Sequence, residues 1–291
     1  MNARPPVTCS YELKDALTLL EGRFAERSVE IDGGVVSYRS CGSGPVVVLL
    51  HGISSGAASW LHCALKLEKD AQVIAWNAPG YGRSTPLPMS HPKAVDYAAR
   101  LEQFVRALGI VDCVLVGHSL GALMASGYIG AGFDRARRVV LMSPAQGYGA
   151  PEKQARAQQV LQERMEALHT LGVDGMAQKR SGRLLSEHAL ETQRAWVRWN
   201  MQWLDPAGYT QAVHLLCGDD IDAGLDVRKA GLPMAVYCGA LDVVTTPEAS
   251  RALAQRQHLP FHLLEEAGHA CYIEQPGKVA GAIREHLYQI N

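Results

Sequence analysis

The five residues Gly117-His118-Ser119-Leu120-Gly121 place a serine between two glycines, inside the most apolar region of the chain, CVLVGHSLGALMAS (113–126). A serine hydroxyl is a poor nucleophile near neutral pH, so attack on a carbonyl needs a general base to take its proton and a further group to orient that base. The run ending at Val116 reads as a strand and the stretch from Leu120 as a helix, which leaves Ser119 on the tight turn between them. Glycine at 117 and 121 removes side chains that would collide at such a turn. The hydroxyl is then held above the carboxyl ends of the strands, where open α/β sheets bind ligands, with a helix N-terminus beneath it that favours negative charge.

In this setting, after a strand and before a helix, the G-x-S-x-G pattern resembles the nucleophile turn of the α/β-hydrolase family. The resemblance spans about residues 29 to 290. It implies a mostly parallel central sheet flanked by helices, an inserted helical cap, and the chain order serine, acid, histidine. Two loops fit that order: PMAVYCGALDVVTTP offers Asp242, and HLLEEAGHACYIEQP offers His269. Ser119, Asp242 and His269 each follow a strand-like run, so parallel strands would bring all three out at one edge of the sheet. Asp219, Asp220 and Asp222 are rival acids, but they close a helical region with no core strand before them.

An oxyanion hole needs two backbone N–H groups aimed where negative charge develops. The resemblance gives one to Leu120, directly after the nucleophile. His51-Gly52-Ile53, after the run PVVVLL, resembles the family's H-G motif and gives the other to the Ile53 N–H. His51 itself is then a side chain that hydrogen-bonds the loop. NAPGYGRS (77–84) resembles a further family turn, with Asn77 where an aspartate is usual, and reads as structural.

A serine at the turn argues against the dehalogenases and epoxide hydrolases of this fold, which use an aspartate there. The arrangement is similar to 3-oxoadipate enol-lactonases and small esterases. It implies cleavage of a small carboxylic ester or lactone through an acyl-enzyme, with no metal or organic cofactor. HGISSGAASW also resembles a loop of the carbon–carbon bond hydrolases that act on ring-cleavage products, although Ala270 and His118 depart from that group. Ligand receptors of the same fold are an alternative of a different kind. The expected substrate pocket takes in His118, Trp196, Trp199 and Trp203, with Arg194 and Arg198 beside them to pair with a substrate carboxylate. The tryptophans fall at i, i+3 and i+7 on one helix face, a spacing equally suited to packing on the core.

Short continuous apolar runs must position these residues: PVVVLL (45–50), QVIAW (72–76), DCVLV (112–116), RRVVLM (137–142), PMAVYC (233–238) and PFHLLE (260–265). Such runs suit parallel strands buried on both faces and joined by helices. Before them, residues 11–25 have the periodicity of an amphipathic helix, and Asp32-Gly33-Gly34 marks the turn of a hairpin. The interval 146–230 reads helical and is expected to be the cap, between core segments 1–145 and 231–291. Lys and Arg total 28 against 29 Asp and Glu, without a basic block, so neither nucleic acid nor an anionic membrane is an expected partner. Glu12, Lys14 and Asp15 interrupt any signal-peptide core, and seven scattered cysteines suit reduced, buried thiols; both point to the cytoplasm.

Overall fold

The computed structural model describes residues 11–228 and 230–287. Strands β1 (Glu26–Ile31) and β2 (Gly34–Cys41) form the predicted hairpin. Ile31 stands opposite Gly34, and Gly33 turns the chain at φ +80°, a conformation that suits glycine. The six apolar runs become β3 (Val46–Leu50), β4 (Gln72–Trp76), β5 (Cys113–His118), β6 (Ala136–Met142), β7 (Met234–Gly239) and β8 (Phe261–Leu264). All eight strands make one sheet in the order β1-β2-β4-β3-β5-β6-β7-β8, parallel from β4 to β8 and antiparallel only through β1 and β2.

Burial explains why these runs carry no polar alternation. Val47, Val48, Leu49 and Leu50 expose nothing, and burying each stabilises the fold by about 1.5–3 kcal/mol relative to leaving it in water. Of the six strands these runs form, only β8, at the edge of the sheet, leaves two residues of its short span exposed. From β3 the chain moves outward to β4, then returns past β3 to β5 and proceeds the other way. The strand order therefore reverses beside β3 and β5, and the crevice at their carboxyl ends is where this kind of sheet takes a ligand.

Helix α1 (Tyr11–Arg23) buries Leu13 and Leu20, as its periodicity predicts. Helices α2 (Leu61–Leu67), α3 (Ala94–Ala107) and α4 (Leu120–Gly130) follow in the first half of the chain. Between β6 and β7 lie α5 (Gln154–Arg180), α6 (Glu191–Met201), α7 (Pro206–Gly218) and α8 (Ile221–Asp226). Gly172 at φ +61° breaks α5 into two segments. Asp205 caps α7 by accepting from the Ala207 and Gly208 N–H groups, and Pro206 takes the first helical position, where no N–H is needed. The short α8 packs against α4 rather than standing with α5: a Cβ on Gly224 would lie 2.3 Å from the Ser126 carbonyl oxygen. Helices α9 (Pro247–Arg256), α10 (Cys271–Glu274) and α11 (Pro276–Glu285) complete the fold. Cys41, Cys63, Cys113, Cys217, Cys238 and Cys271 are all free thiols, while Cys9 lies outside the described residues. Among the described residues no helix is long and apolar enough to cross a membrane.

Candidate active site

β5 ends at His118 and α4 begins at Leu120, which puts Ser119 alone on the turn at φ 53°, ψ −118°. A side chain at positive φ is strained, and the surroundings must hold it there. They do so through the backbone: Ser119 N–H donates to the Met142 carbonyl at 3.0 Å, and its own carbonyl accepts from Ala122 and Ala145. The flanking glycines are required by close approach. A Cβ on Gly117 would stand 2.5 Å from the Gly121 oxygen, and one on Gly121 would stand 2.4 Å from the Leu50 oxygen.

Asp242 and His269 lie on the loops after β7 and β8. His269 Nδ1 is 2.9 Å from Asp242 Oδ2. An ionised carboxylate only accepts, so Nδ1 carries the proton and Nε2 keeps its lone pair. The other carboxylate oxygen, Oδ1, accepts from the Val244 and Thr245 N–H groups at 2.7 and 3.0 Å, and Thr245 Oγ1 lies 2.9 Å from Oδ2. Burial opposes the charge on Asp242. The His269 ring and the two backbone donors outweigh it and hold the carboxyl well below the usual carboxylate range. The histidine loop is tied down separately. Glu274, buried at the end of α10, accepts from Gly268 N–H at 2.7 Å and from the Ser186 N–H and hydroxyl. His118 Nε2 donates to the His269 carbonyl at 2.8 Å.

The loop after β3 comes close to the serine: a Cβ on Gly52 would be 3.0 Å from Ser119 Cβ. His51 holds this loop with both nitrogens, Nδ1 donating to the Gly52 carbonyl and Nε2 accepting from Ala78 N–H. Tyr81, from the 77–84 turn, donates its hydroxyl to the Ile53 carbonyl at 2.9 Å. Asn77 bonds Ala57 N–H, Ser37 and Glu26, which fits a structural role for that turn. Among the described residues the N–H groups of Ile53 and Leu120 have no protein acceptor, and both residues border the same cavity as Ser119. Among the described residues no protein group bonds the Ser119 hydroxyl, which borders the cavity together with His269.

That cavity, of about 360 Å³, takes in Ser119, His269, Ile53, Leu120 and His118. The expected aromatic wall is elsewhere. Trp196, Trp199 and Trp203 do not border the cavity; Trp196 stacks on Trp199 at 5.0 Å and meets His62 of α2, so this helix face packs inward. The neighbouring Val197 and Asn200 border the cavity instead, because they project from the next face of the same helix. Arg194 and Arg198 are also absent from it. Arg194 donates to the Ser186 and Glu187 carbonyls, and Arg198 pairs with Glu191. The cations that do border the cavity are Lys153 and Arg164 of the region before and within α5. The rival aspartates are engaged otherwise: Asp219 accepts from Ala94 N–H, Asp220 pairs with Lys153, and Asp222 with Arg256. Among the described residues no three His, Cys, Asp or Glu side chains gather as metal ligands.

Comparison with known proteins agrees with this architecture. The model described as "Alpha/beta hydrolase family" matches residues 47–282. A proline iminopeptidase of Heyndrickxia coagulans is 23% identical over 92% of this chain and all of its own length. A pimeloyl-[acyl-carrier protein] methyl ester esterase of Aeromonas salmonicida is 28% identical over 86% of this chain and 98% of its own. Among solved structures, the enol-lactonase from Burkholderia xenovorans superposes with a TM-score of 0.77 at 21% identity, covering 90% of this chain and 100% of that one.

Proposed function

The chain belongs to the alpha/beta hydrolase family, and from that premise we propose that it is a serine hydrolase that cleaves a small carboxylic ester or lactone. The observation that carries this is the Asp242 Oδ2 to His269 Nδ1 contact of 2.9 Å, set beside a strained serine on one cavity. His269 takes the Ser119 proton on Nε2 as Oγ attacks the carbonyl carbon. Asp242 fixes the tautomer and stabilises the imidazolium that forms. The Ile53 and Leu120 N–H groups receive the oxyanion, and each such donor is worth on the order of 3 kcal/mol in the barrier. Collapse breaks the ester bond, and the departing alcohol or enol takes the proton from His269. Water, deprotonated by the same ring, then releases the acid.

In this proposal α5 to α7 form the cap that sets selectivity, while α8 belongs with the body of the molecule through its packing on α4. Esterase activity of the Aeromonas salmonicida relative supports the ester as substrate bond.

A fluorophosphonate probe with peptide mapping, combined with hydrolysis of short and medium 4-nitrophenyl esters, tests the mechanism. Label on Ser119 and turnover that disappears in Ser119→Ala are expected, with the variant folded by circular dichroism. Equal turnover in wild type and Ser119→Ala would exclude the acyl-serine route.

A further inference from the structure

Two cationic side chains border the cavity of Ser119, and among the described residues no carboxylate borders it. Their circumstances differ. Lys153 Nζ lies 2.6 Å from Asp220 Oδ2, so its charge is already answered. Arg164, on the first segment of α5, is half-buried, and among the described residues no carboxylate reaches it. Its Nη1 donates to the Tyr209 hydroxyl oxygen at 3.1 Å, a neutral acceptor that occupies one of the five N–H donors of a guanidinium. The other donors have no protein acceptor among the described residues. A guanidinium on a cavity wall with free donors is open to a ligand, and its planar fork fits a carboxylate with two parallel bonds.

We infer that the substrate's acyl group carries a second, free carboxylate, and that Arg164 binds it. The inference rests on the acyl-transfer mechanism proposed above and names the class of acid within it. A contact on the acyl side has a further use: the acyl group stays through both half-reactions, so one anchor holds the carbonyl for attack by serine and then by water. Arg164 supplies one uncompensated positive charge, which matches a single carboxylate. A phosphate dianion would leave one negative charge unanswered, since Lys153 is taken by Asp220.

The test compares 4-nitrophenyl hexanoate with the 4-nitrophenyl half-esters of glutarate, adipate and pimelate. Wild type should favour at least one half-ester over hexanoate by about tenfold in kcat/KM, and Arg164→Gln should cut that ratio by about tenfold through KM, with Arg164→Lys recovering part of it. A ratio that Arg164→Gln leaves unchanged, or hexanoate preferred to every half-ester, would overturn the inference. A second measurement needs no turnover. Monomethyl glutarate, monomethyl adipate, monomethyl pimelate and inorganic phosphate are titrated calorimetrically into Ser119→Ala, with and without Arg164→Gln. At least one half-ester should bind more tightly than phosphate and lose about tenfold in Kd with Arg164→Gln. Phosphate binding more tightly than every half-ester, or a Kd indifferent to Arg164, would overturn it. If wild type hydrolyses no ester, the acyl-transfer mechanism fails, and the calorimetric result still decides the role of Arg164.

Discussion

The two oxygens of Asp242 have different tasks, and this makes the residue a sharp probe of the mechanism. Oδ1 accepts from two backbone N–H groups, while Oδ2 faces His269 Nδ1. Asp242→Asn would keep its carbonyl oxygen toward the backbone donors and turn its NH2 toward the ring. Nδ1 would then accept rather than donate, the proton would move to Nε2, and the nitrogen needed as base would be blocked. We expect kcat on 4-nitrophenyl esters to fall by about 10⁴ with KM little changed, in a variant whose unfolding midpoint stays close to wild type. A loss of less than tenfold would show that Asp242 does not set the tautomer. Ser119, Asp242 and His269 stand out in the sequence because each follows an apolar run with a distinctive loop. Thr245, Tyr81 and Glu274 do not, since their value lies in contacts across the fold: the Tyr81 hydroxyl reaches Ile53, and Glu274 reaches back to Gly268 and Ser186. Arg164 gave no signal because α5 is charged around much of its circumference, and nothing in that pattern marks which cation faces the cavity.

At the scale of elements, the contact of α4 with the end of β3 joins the nucleophile to the loop that carries Ile53. Gly121 is the point of contact, since a Cβ there would sit 2.4 Å from the Leu50 oxygen and 2.9 Å from the His51 oxygen. These are backbone atoms and cannot swing aside, so Gly121→Ala must push the helix or the loop. The expected cost is about 3 kcal/mol in urea unfolding, together with slower fluorophosphonate labelling as the two N–H groups separate. Wild-type stability and labelling rate in this variant would mean that the approach is looser than the geometry requires. The strands were readable because burial on both faces leaves an uninterrupted apolar run. Their ends were not: β5 continues through Gly117 to His118, held by pairing to Leu141 and Met142 rather than by apolar character. The tryptophan stripe shows the complementary difficulty. Helical spacing tells which residues share a face, yet only packing tells that this face meets His62 and that Val197 and Asn200 border the cavity.

For the whole molecule, the reversal of strand order at β3 and β5 puts a chemically loaded crevice against the most buried part of the sheet. Two of its histidines are neutral because of that burial. Burial pushes His51 down to about 4 against the opposing bond to the Gly52 carbonyl, and burial, then the neighbouring His269, pushes His118 down to about 3. In the unfolded chain both would titrate near the ordinary value of about 6.5. Between those limits the unfolded state binds more protons, so the stabilising contribution is complete above pH ~6.5 and is lost progressively as pH falls toward ~4. Asp242 does not confuse this interval, since its carboxyl is held well below the usual range and stays ionised through it. Each ring should therefore withdraw about 2 kcal/mol between pH 7 and pH 5. Urea unfolding at the two pH values measures these two shares together with those of His62, His214 and His286, which burial also holds low, and His118→Asn separates one share because asparagine does not titrate. That variant should lose about 2 kcal/mol less than wild type over the same step, whatever its stability at pH 7. An identical loss in both proteins would mean that His118 is not the buried neutral ring from which the lone pair on Nδ1 and the bond from Nε2 to the His269 carbonyl follow.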